Sequence, residues 1–265
     1  MNPEGELVRL NKLLAQRGLC SRREADDLIA KGLVLLNGEV VTQMGCRVAS
    51  NSRLELNREG SKALEQRWVA ILNKPRNYVS QLAEEGQMDA HVLLTRDRFY
   101  GDSATPLDHV METCHQAPLA GRLDRSSRGL LIFSTDGRVV REITQGGRWA
   151  KKYLVECTGP VSDEQIAGLG ELRELGEWKL KPMLVSRLSE RRLRFELREG
   201  KKHQIREVCH AVGLDVSDLY RVSVGPIELG TLPEGRWRLL SEAEILAVIS
   251  PSPSASGSRR REKGR

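Results

Sequence analysis

Leu7, Leu10, Leu13 and Leu14 recur at helical spacing, with Arg9, Lys12 and Arg17 around them, which predicts a helix over residues 7–17 closed by Gly18. Ser21-Arg22-Arg23-Glu24 then reads as a capping box that opens a second helix, with Ala25, Leu28 and Ile29 as its apolar face and Lys31-Gly32 at its end. Val34 to Val41 is an apolar run, an Asn-Gly turn and a second apolar run, the pattern of a two-stranded hairpin. From Asn57 to Arg67 the chain is polar without apolar periodicity and reads as a linker. Strand-like runs follow at Trp68–Leu72 and over 150–156, 178–188 and 191–198, with helices expected over 163–172 and 203–212, the latter ending at Gly213. Strands and helices mix without strict β-α-β alternation, so the fold class expected is α+β. The domains expected are 1–58, a linker 59–67, a larger domain 68–250 and a tail 251–265.

Charge and cysteine usage narrow the class. The net charge is +6, which favours a polyanionic partner. The tail holds five basic residues (Arg259, Arg260, Arg261, Lys263 and Arg265) against Glu262, so +4 of that charge sits beyond Pro251. Its Pro-Ser-rich lead-in buries nothing and reads as disordered, either a solubilising end or a phosphate contact. The five cysteines lie far apart with no C-x-x-C pair, which speaks against a thiolate zinc site and a disulfide framework. Free thiols in a reducing cytoplasm are the expectation. His203 and His210 are a weak ligand pattern, so no metal is implied. No apolar run approaches a membrane span, and the amino terminus has no secretory or transit pattern.

Between Leu7 and Lys31 stand six basic residues (Arg9, Lys12, Arg17, Arg22, Arg23 and Lys31) against three acidic ones. Arg22 and Arg23 fall at a helix start, where backbone amides add to phosphate attraction. Two short basic helices before a hairpin resemble the S4 RNA-binding module, from about Val8 to Leu56. That resemblance implies RNA contact by Arg9, Lys12, Arg22, Arg23 and Lys31.

The most specific run of the chain is Gly121-Arg122-Leu123-Asp124-Arg125, continuing through Gly129 into an apolar stretch. Around it, in order, come Asn73-Lys74-Pro75, Lys151-Lys152-Tyr153, Lys201-Lys202-His203-Gln204-Ile205-Arg206 and Leu219-Tyr220-Arg221-Val222-Ser223-Val224-Gly225. Over residues 68–245 these resemble the pseudouridine synthases, in the S4-containing branch of bacterial ribosomal RNA enzymes. The fold implied is a small S4-like domain followed by a mixed-sheet catalytic domain.

The resemblance implies conversion of uridine to pseudouridine. The bond from ribose to N1 breaks, the uracil turns, and a bond forms to C5. No redox change occurs and no phosphate is spent, so no cofactor is expected, and the chain has no Gly-rich phosphate loop. Asp124 is the implied catalytic group, either as nucleophile or in proton transfer. Arg206 would pair with its charge, Tyr153 would stack on the uracil, and Leu219 would pack beside the pocket. Arg122 would fill the space left by the flipped base, or pair with Asp124 or a phosphate. Cys209 and His210 are neighbours on a helix and point apart, which speaks against a Cys-His nucleophile.

Asn77 stands where the family has glycine, and asparagine tolerates the same left-handed backbone. Glu207 replaces a second basic residue, Ser126-Ser127 replaces a threonine-containing pair, and residues 81–120 form a long, poorly patterned connection. The expected partner is structured RNA, ribosomal (large-subunit) before transfer RNA, met by a cytoplasmic monomer without membrane contact. The competing reading is an RNA-binding assembly factor with an inactive pocket.

Overall fold

In the computed structural model, which describes residues 6–81, 84–102, 104–145 and 147–250, the chain begins with a strand where the leucine spacing suggests a helix. β1 (Leu7–Arg9) runs antiparallel to β4 (Arg47–Ala49), and α1 is confined to Leu10–Gln16. Successive strand side chains face opposite ways, so Val8 is buried while Leu7 is 63% exposed. The expectation for Leu7 fails because pairing with a distant strand overrides local spacing. The tail reading over 251–265 lies outside the described residues, as do residues 1–5.

The next elements form as their sequence signals predict. Gly18 takes φ 75. In α2 (Arg22–Ala30) the Glu24 amide donates to Ser21 Oγ at 3.2 Å, and the Ser21 amide donates to Glu24 Oε2 at 2.7 Å. The Asn11 amide donates to both Asp26 carboxylate oxygens, tying α1 to α2. β2 (Val34–Leu36) and β3 (Glu39–Val41) meet at Asn37 and Gly38, which have φ 53 and 92, the two positive values of a type I′ turn. β5 (Leu54–Leu56) pairs with the other edge of β2, and Leu10, Leu14, Ile29 and Val34 form the core beneath.

The stretch read as a linker is helical over α3 (Arg58–Glu65). Asn57 Oδ1 caps it by accepting from the Gly60 amide at 2.8 Å. Gly60 packs against Leu33, where a Cβ would sit 2.9 Å from the Leu33 carbonyl oxygen, and Leu64 packs on the core of the amino-terminal module. With so narrow a buried stripe, the helix leaves almost no apolar period to read.

β6 (Val69–Lys74) leads into the main sheet. A short pair, β7 (Tyr78–Val79) and β8 (Met88–Asp89), and helix α4 (Asp108–Thr113) follow. Then come β9 (Arg128–Ser134), α5 (Gly137–Thr144), β10 (Lys151–Cys157) and α6 (Asp163–Glu171). The strand expected over 178–188 is split. β11 (Glu174–Leu175) and β12 (Trp178–Lys179) form a small hairpin, and β13 (Leu184–Arg187) starts after Pro182, which has no N–H for a ladder. β14 (Arg192–Leu197), α7 (Gln204–Ala211), β15 (Val216–Val224), β16 (Ile227–Glu228), β17 (Trp237–Leu239) and α8 (Glu242–Ile249) complete the order.

The sheet runs β13-β14-β10-β15-β9-β6-β17, with β16 attached to β15. Only the β15–β9 pairing is parallel, so the sheet is mixed. Every residue of β6 is buried, which is why its apolar run is continuous. On one face Leu93, Leu107, Phe133 and Trp237 pack together, so residues 88–117 contribute to the core. On the other, α5 and α8 bring Val139, Ile143 and Val248 against Ile71 and Ile132.

The two modules touch through charge. Arg67 Nε lies 2.9 Å from Glu24 Oε1, and its Nη2 donates to the Leu19 carbonyl at 3.0 Å. Glu24 Oε2 also accepts from the Gly137 amide at 3.1 Å, at the start of α5. Burial would raise the Asp136 carboxyl, but Arg138 and Arg67 hold it below its usual value.

Candidate active site

Asp124 sits in the loop before β9, and that loop is held from three directions. Ser80 Oγ both donates to the Leu123 carbonyl (2.6 Å) and accepts from the Leu123 amide (2.8 Å). The Asn77 amide donates to the Arg125 carbonyl at 2.9 Å, from a residue with φ 71, so Asn77 does adopt the left-handed backbone. From below, Arg221 on β15 donates through Nε to the Leu130 carbonyl and through Nη1 to the Arg122 carbonyl at 3.2 Å. Leu123 is buried by these contacts, and the Asp124 side chain is left 33% exposed.

It faces a cavity of about 450 Å³. Tyr153 and Leu219 line the same cavity, from β10 and β15. They are cross-strand neighbours, since Tyr153 pairs with Arg221 in the register that sets Val155 opposite Leu219. Arg122 lines it too and is exposed, able to reach an incoming partner. Arg9, Lys12, Arg22, Arg23 and Lys31 are exposed on the amino-terminal module, apart from the cavity.

Arg206 is not brought to Asp124. It lies a turn inside α7, where Nη1 donates to the Val216 carbonyl at 2.8 Å, and among the described residues it forms no ion pair with Asp124. The group beside Asp124 is His203, with Nε2 3.4 Å from Oδ1. His203 is the residue before α7 and has φ 57, an unusual backbone for a side chain bearing a Cβ. The helix start carries the imidazole to the cavity while Arg206, one turn later, faces β15. The sequence signal lay in the place of His203 just ahead of the helix, not in its spacing to other histidines.

Arg221 and Lys151 also line the cavity, and Lys74 lies near enough to Asp124 for their charges to interact; the sequence reading assigned none of them to the site. Arg221 and Lys74 are buried, and Lys151 is half-buried. Lys74 Nζ donates to the carbonyls of Pro75 (3.0 Å) and Tyr78 (2.8 Å). Burial pulls its pKa down to about 8, with Asp124 opposing and Arg221 adding to the fall. Burial and the nearby Arg221 also lower Lys151. Charged residues inside otherwise apolar strands were the available signal.

The depressed Lys74 pKa makes stability depend on pH. With its pKa lowered from 10.5 to about 8, the folded chain binds fewer protons there than the unfolded chain. Stability from this group therefore rises with pH between those two values, and the penalty is complete below them. Unfolding free energies from denaturant titrations across pH 7.5–10 should rise more in the wild type than in Lys74→Met, by up to roughly 3 kcal/mol. Equal pH slopes would show that Lys74 titrates normally.

Among the described residues no group of three or more His, Cys, Asp or Glu is placed to hold a metal. Cys209 is buried and its thiol pushed up to about 12 by burial, while His210 beside it is exposed, so the two do not form a nucleophile pair.

Residues 68–211 match the RNA pseudouridylate synthase family, and residues 8–54 match the S4 domain. An RNA pseudouridine synthase of Aquifex aeolicus (strain VF5) is 31% identical over 249 residues, covering 91% of this chain and 94% of the relative. The dual-specificity RNA pseudouridine synthase RluF of Escherichia coli (strain K12) is 31% identical over 245 residues, covering 91% of this chain and 78% of its own length. A crystal structure of a pseudouridylate synthase, 24% identical, superposes with a TM-score of 0.60 over 91% of this chain and all of the other, which concerns the fold. The sheet, the cavity at Asp124 and these matches define an RNA-modifying isomerase with a separate RNA-binding module. The chain belongs to the S4-domain-containing RNA pseudouridine synthases.

Proposed function

We propose that this enzyme isomerises a specific uridine of ribosomal RNA, large-subunit RNA first, with Asp124 as the acting carboxylate. The observation that carries this reading is the convergence of Asp124, Tyr153 and Leu219 on one cavity that the buried Arg221 and the half-buried Lys151 also line. Breaking the N1–C1′ bond and forming the C5–C1′ bond requires N1 to gain a proton and C5 to lose one. A carboxylate beside the ribose can attack C1′ or take part in these transfers. Tyr153 offers an aromatic face to the uracil, and Leu219 gives the pocket an apolar wall. Arg122, exposed at the rim, stacks in the gap left by the flipped base. Arg206 acts as a positioning residue, holding Val216 at the start of the strand that carries Leu219.

The domain limits proposed are 1–58 for RNA capture, with 59–67 as a helical connector, and 68–250 for catalysis. No helix among the described residues is long and apolar enough to cross a membrane, and a cytoplasmic monomer fits this reading. The E. coli relative is named a dual-specificity RNA pseudouridine synthase, and the alternative substrate here is a transfer RNA uridine, alone or in addition.

Pseudouridine mapping across ribosomal and transfer RNA from a strain lacking the gene tests the proposal. One ribosomal site should disappear and return with the wild-type gene. Loss confined to transfer RNA would replace the substrate, and loss nowhere would favour the inactive assembly factor. The capture module has its own expected result. Arg22→Ala with Arg23→Ala should weaken RNA binding and flatten its salt dependence by about 1 to 2 in log–log slope. An unchanged slope, measured by filter binding from 50 to 300 mM salt, would remove these arginines from the interface.

A further inference from the structure

A second cleft, of about 320 Å³, adjoins the Asp124 cavity and shares Lys151, Glu199 and Gly200 with it. Three cations line it, Lys151, Lys181 and Arg198, against a single carboxylate, Glu199. That carboxylate is already engaged. Its Oε1 accepts from the Lys181 amide at 3.0 Å and from the Gln204 side chain at 2.7 Å. Among the described residues neither the Lys151 nor the Lys181 ammonium has a hydrogen-bond or ion-pair partner. Lys181 Nζ lies close over the backbone of Gly147, 2.7 Å from where a Cβ would stand. Trp149 also lines the cleft, and its Nε1–H is buried without an acceptor.

Lys181 and Arg198 are exposed at the rim and Lys151 is half-buried, so three cations face one cleft whose only carboxylate is already engaged. The two ammonium groups and the guanidinium together favour an acceptor carrying negative charge. A tetrahedral anion with several oxygens meets that demand. Burial and Arg221 lower the Lys151 pKa against the opposing pull of Glu199, so an anion in the cleft would add to what Glu199 supplies. The cleft is walled by the same β10 residue, Lys151, that lines the Asp124 cavity, so an anion held here lies beside whatever occupies that cavity.

We propose that this cleft is a phosphodiester site, holding a backbone phosphate of the RNA next to the uridine that enters the Asp124 cavity. The inference rests on the uridine reading of that cavity. Phosphate contacts of this kind fix register and orientation without reading sequence. The site would place the ribose relative to Asp124 whatever base flanks the target.

The test uses the full chain and uridine 3′,5′-bisphosphate, uridine and inorganic phosphate as probes at low salt. The bisphosphate should bind about ten-fold or more tighter than uridine, as expected of a charge-paired phosphate. Lys181→Gln with Arg198→Gln should bring the two to within about two-fold. Lys181→Gln alone, which leaves the Arg198 bond to the Arg148 carbonyl in place, should remove part of the difference. A double variant that keeps the full preference overturns the site, and inorganic phosphate binding as tightly as the bisphosphate assigns the cleft to free phosphate instead. The second measurement is steady-state isomerisation of ribosomal RNA from the deletion strain. There the double variant should raise KM about ten-fold, with the loss falling mainly on KM. An unchanged KM overturns the cleft while leaving the uridine reading standing. A wild-type enzyme that isomerises no uridine in that RNA overturns the reading, and the cleft's assignment with it.

Discussion

Asp124→Asn is expected to reduce isomerisation by at least about 10³-fold, within the range for loss of an essential nucleophile or proton-transfer group. The amide nearly matches the carboxylate in size and can keep its contact with His203, so the loop bonds from Ser80 and Arg221 should survive. RNA affinity should stay within about two-fold of wild type, because the S4-like module and the exposed cavity rim are untouched. Single-turnover conversion, followed by mass spectrometry of nuclease digests, reads the first effect, and filter binding reads the second. A variant converting uridine within ten-fold of the wild-type rate would show that Asp124 is not the acting carboxylate. A variant that fails to bind RNA would assign Asp124 to recognition.

The second large effect is on stability. Gly129 has φ 102 and pairs in parallel with Arg221, where β9 meets β15. A Cβ at this position would overlap the Arg221 carbonyl oxygen and lie 2.8 Å from the Arg221 nitrogen and 2.9 Å from the Tyr220 ring. Both close contacts from Arg221 are backbone, so no rotamer change removes them. Gly129→Ala therefore combines a strained backbone with forced separation of two central strands, at a cost of about 4 kcal/mol or more. At about 2–4 °C per kcal/mol for a domain of this size, the melting temperature should fall by roughly 10 °C or more. Calorimetry decides it, and a shift under about 3 °C would mean the strands separate cheaply. Activity of any folded remainder should also fall, because Arg221 holds the loop that carries Asp124.

The parts legible in the sequence were those written in short stretches of chain. The Ser21–Glu24 capping box, the Asn37-Gly38 turn and the buried run of β6 each depend on residues a few positions apart, and each formed as read. Leu7 failed because its partner, Ala49, is 42 residues away, and α3 was hidden because its buried stripe is little more than Gly60 and Leu64. The cavity was legible by resemblance in Asp124, Tyr153 and Leu219. The partner of Asp124 was not. Arg206 and His203 are both basic, three residues apart, and only the left-handed turn at His203 decides which imidazole or guanidinium arrives. Lys74 and Arg221 are interior charges within strand patterns, and nothing local reveals that they converge under one loop.

Arg221 leaves one strand, grips the next at Leu130, and reaches on to the Arg122 carbonyl, while Ser80 clasps Leu123 on both its backbone groups. The loop bearing the carboxylate is thus ordered when the chain folds, before any RNA is present. Its entropy cost, about 1–2 kcal/mol for each residue fixed, falls on folding and not on association. The free energy of RNA binding remains available for lifting the uridine out of its stack, which is where this reaction needs it.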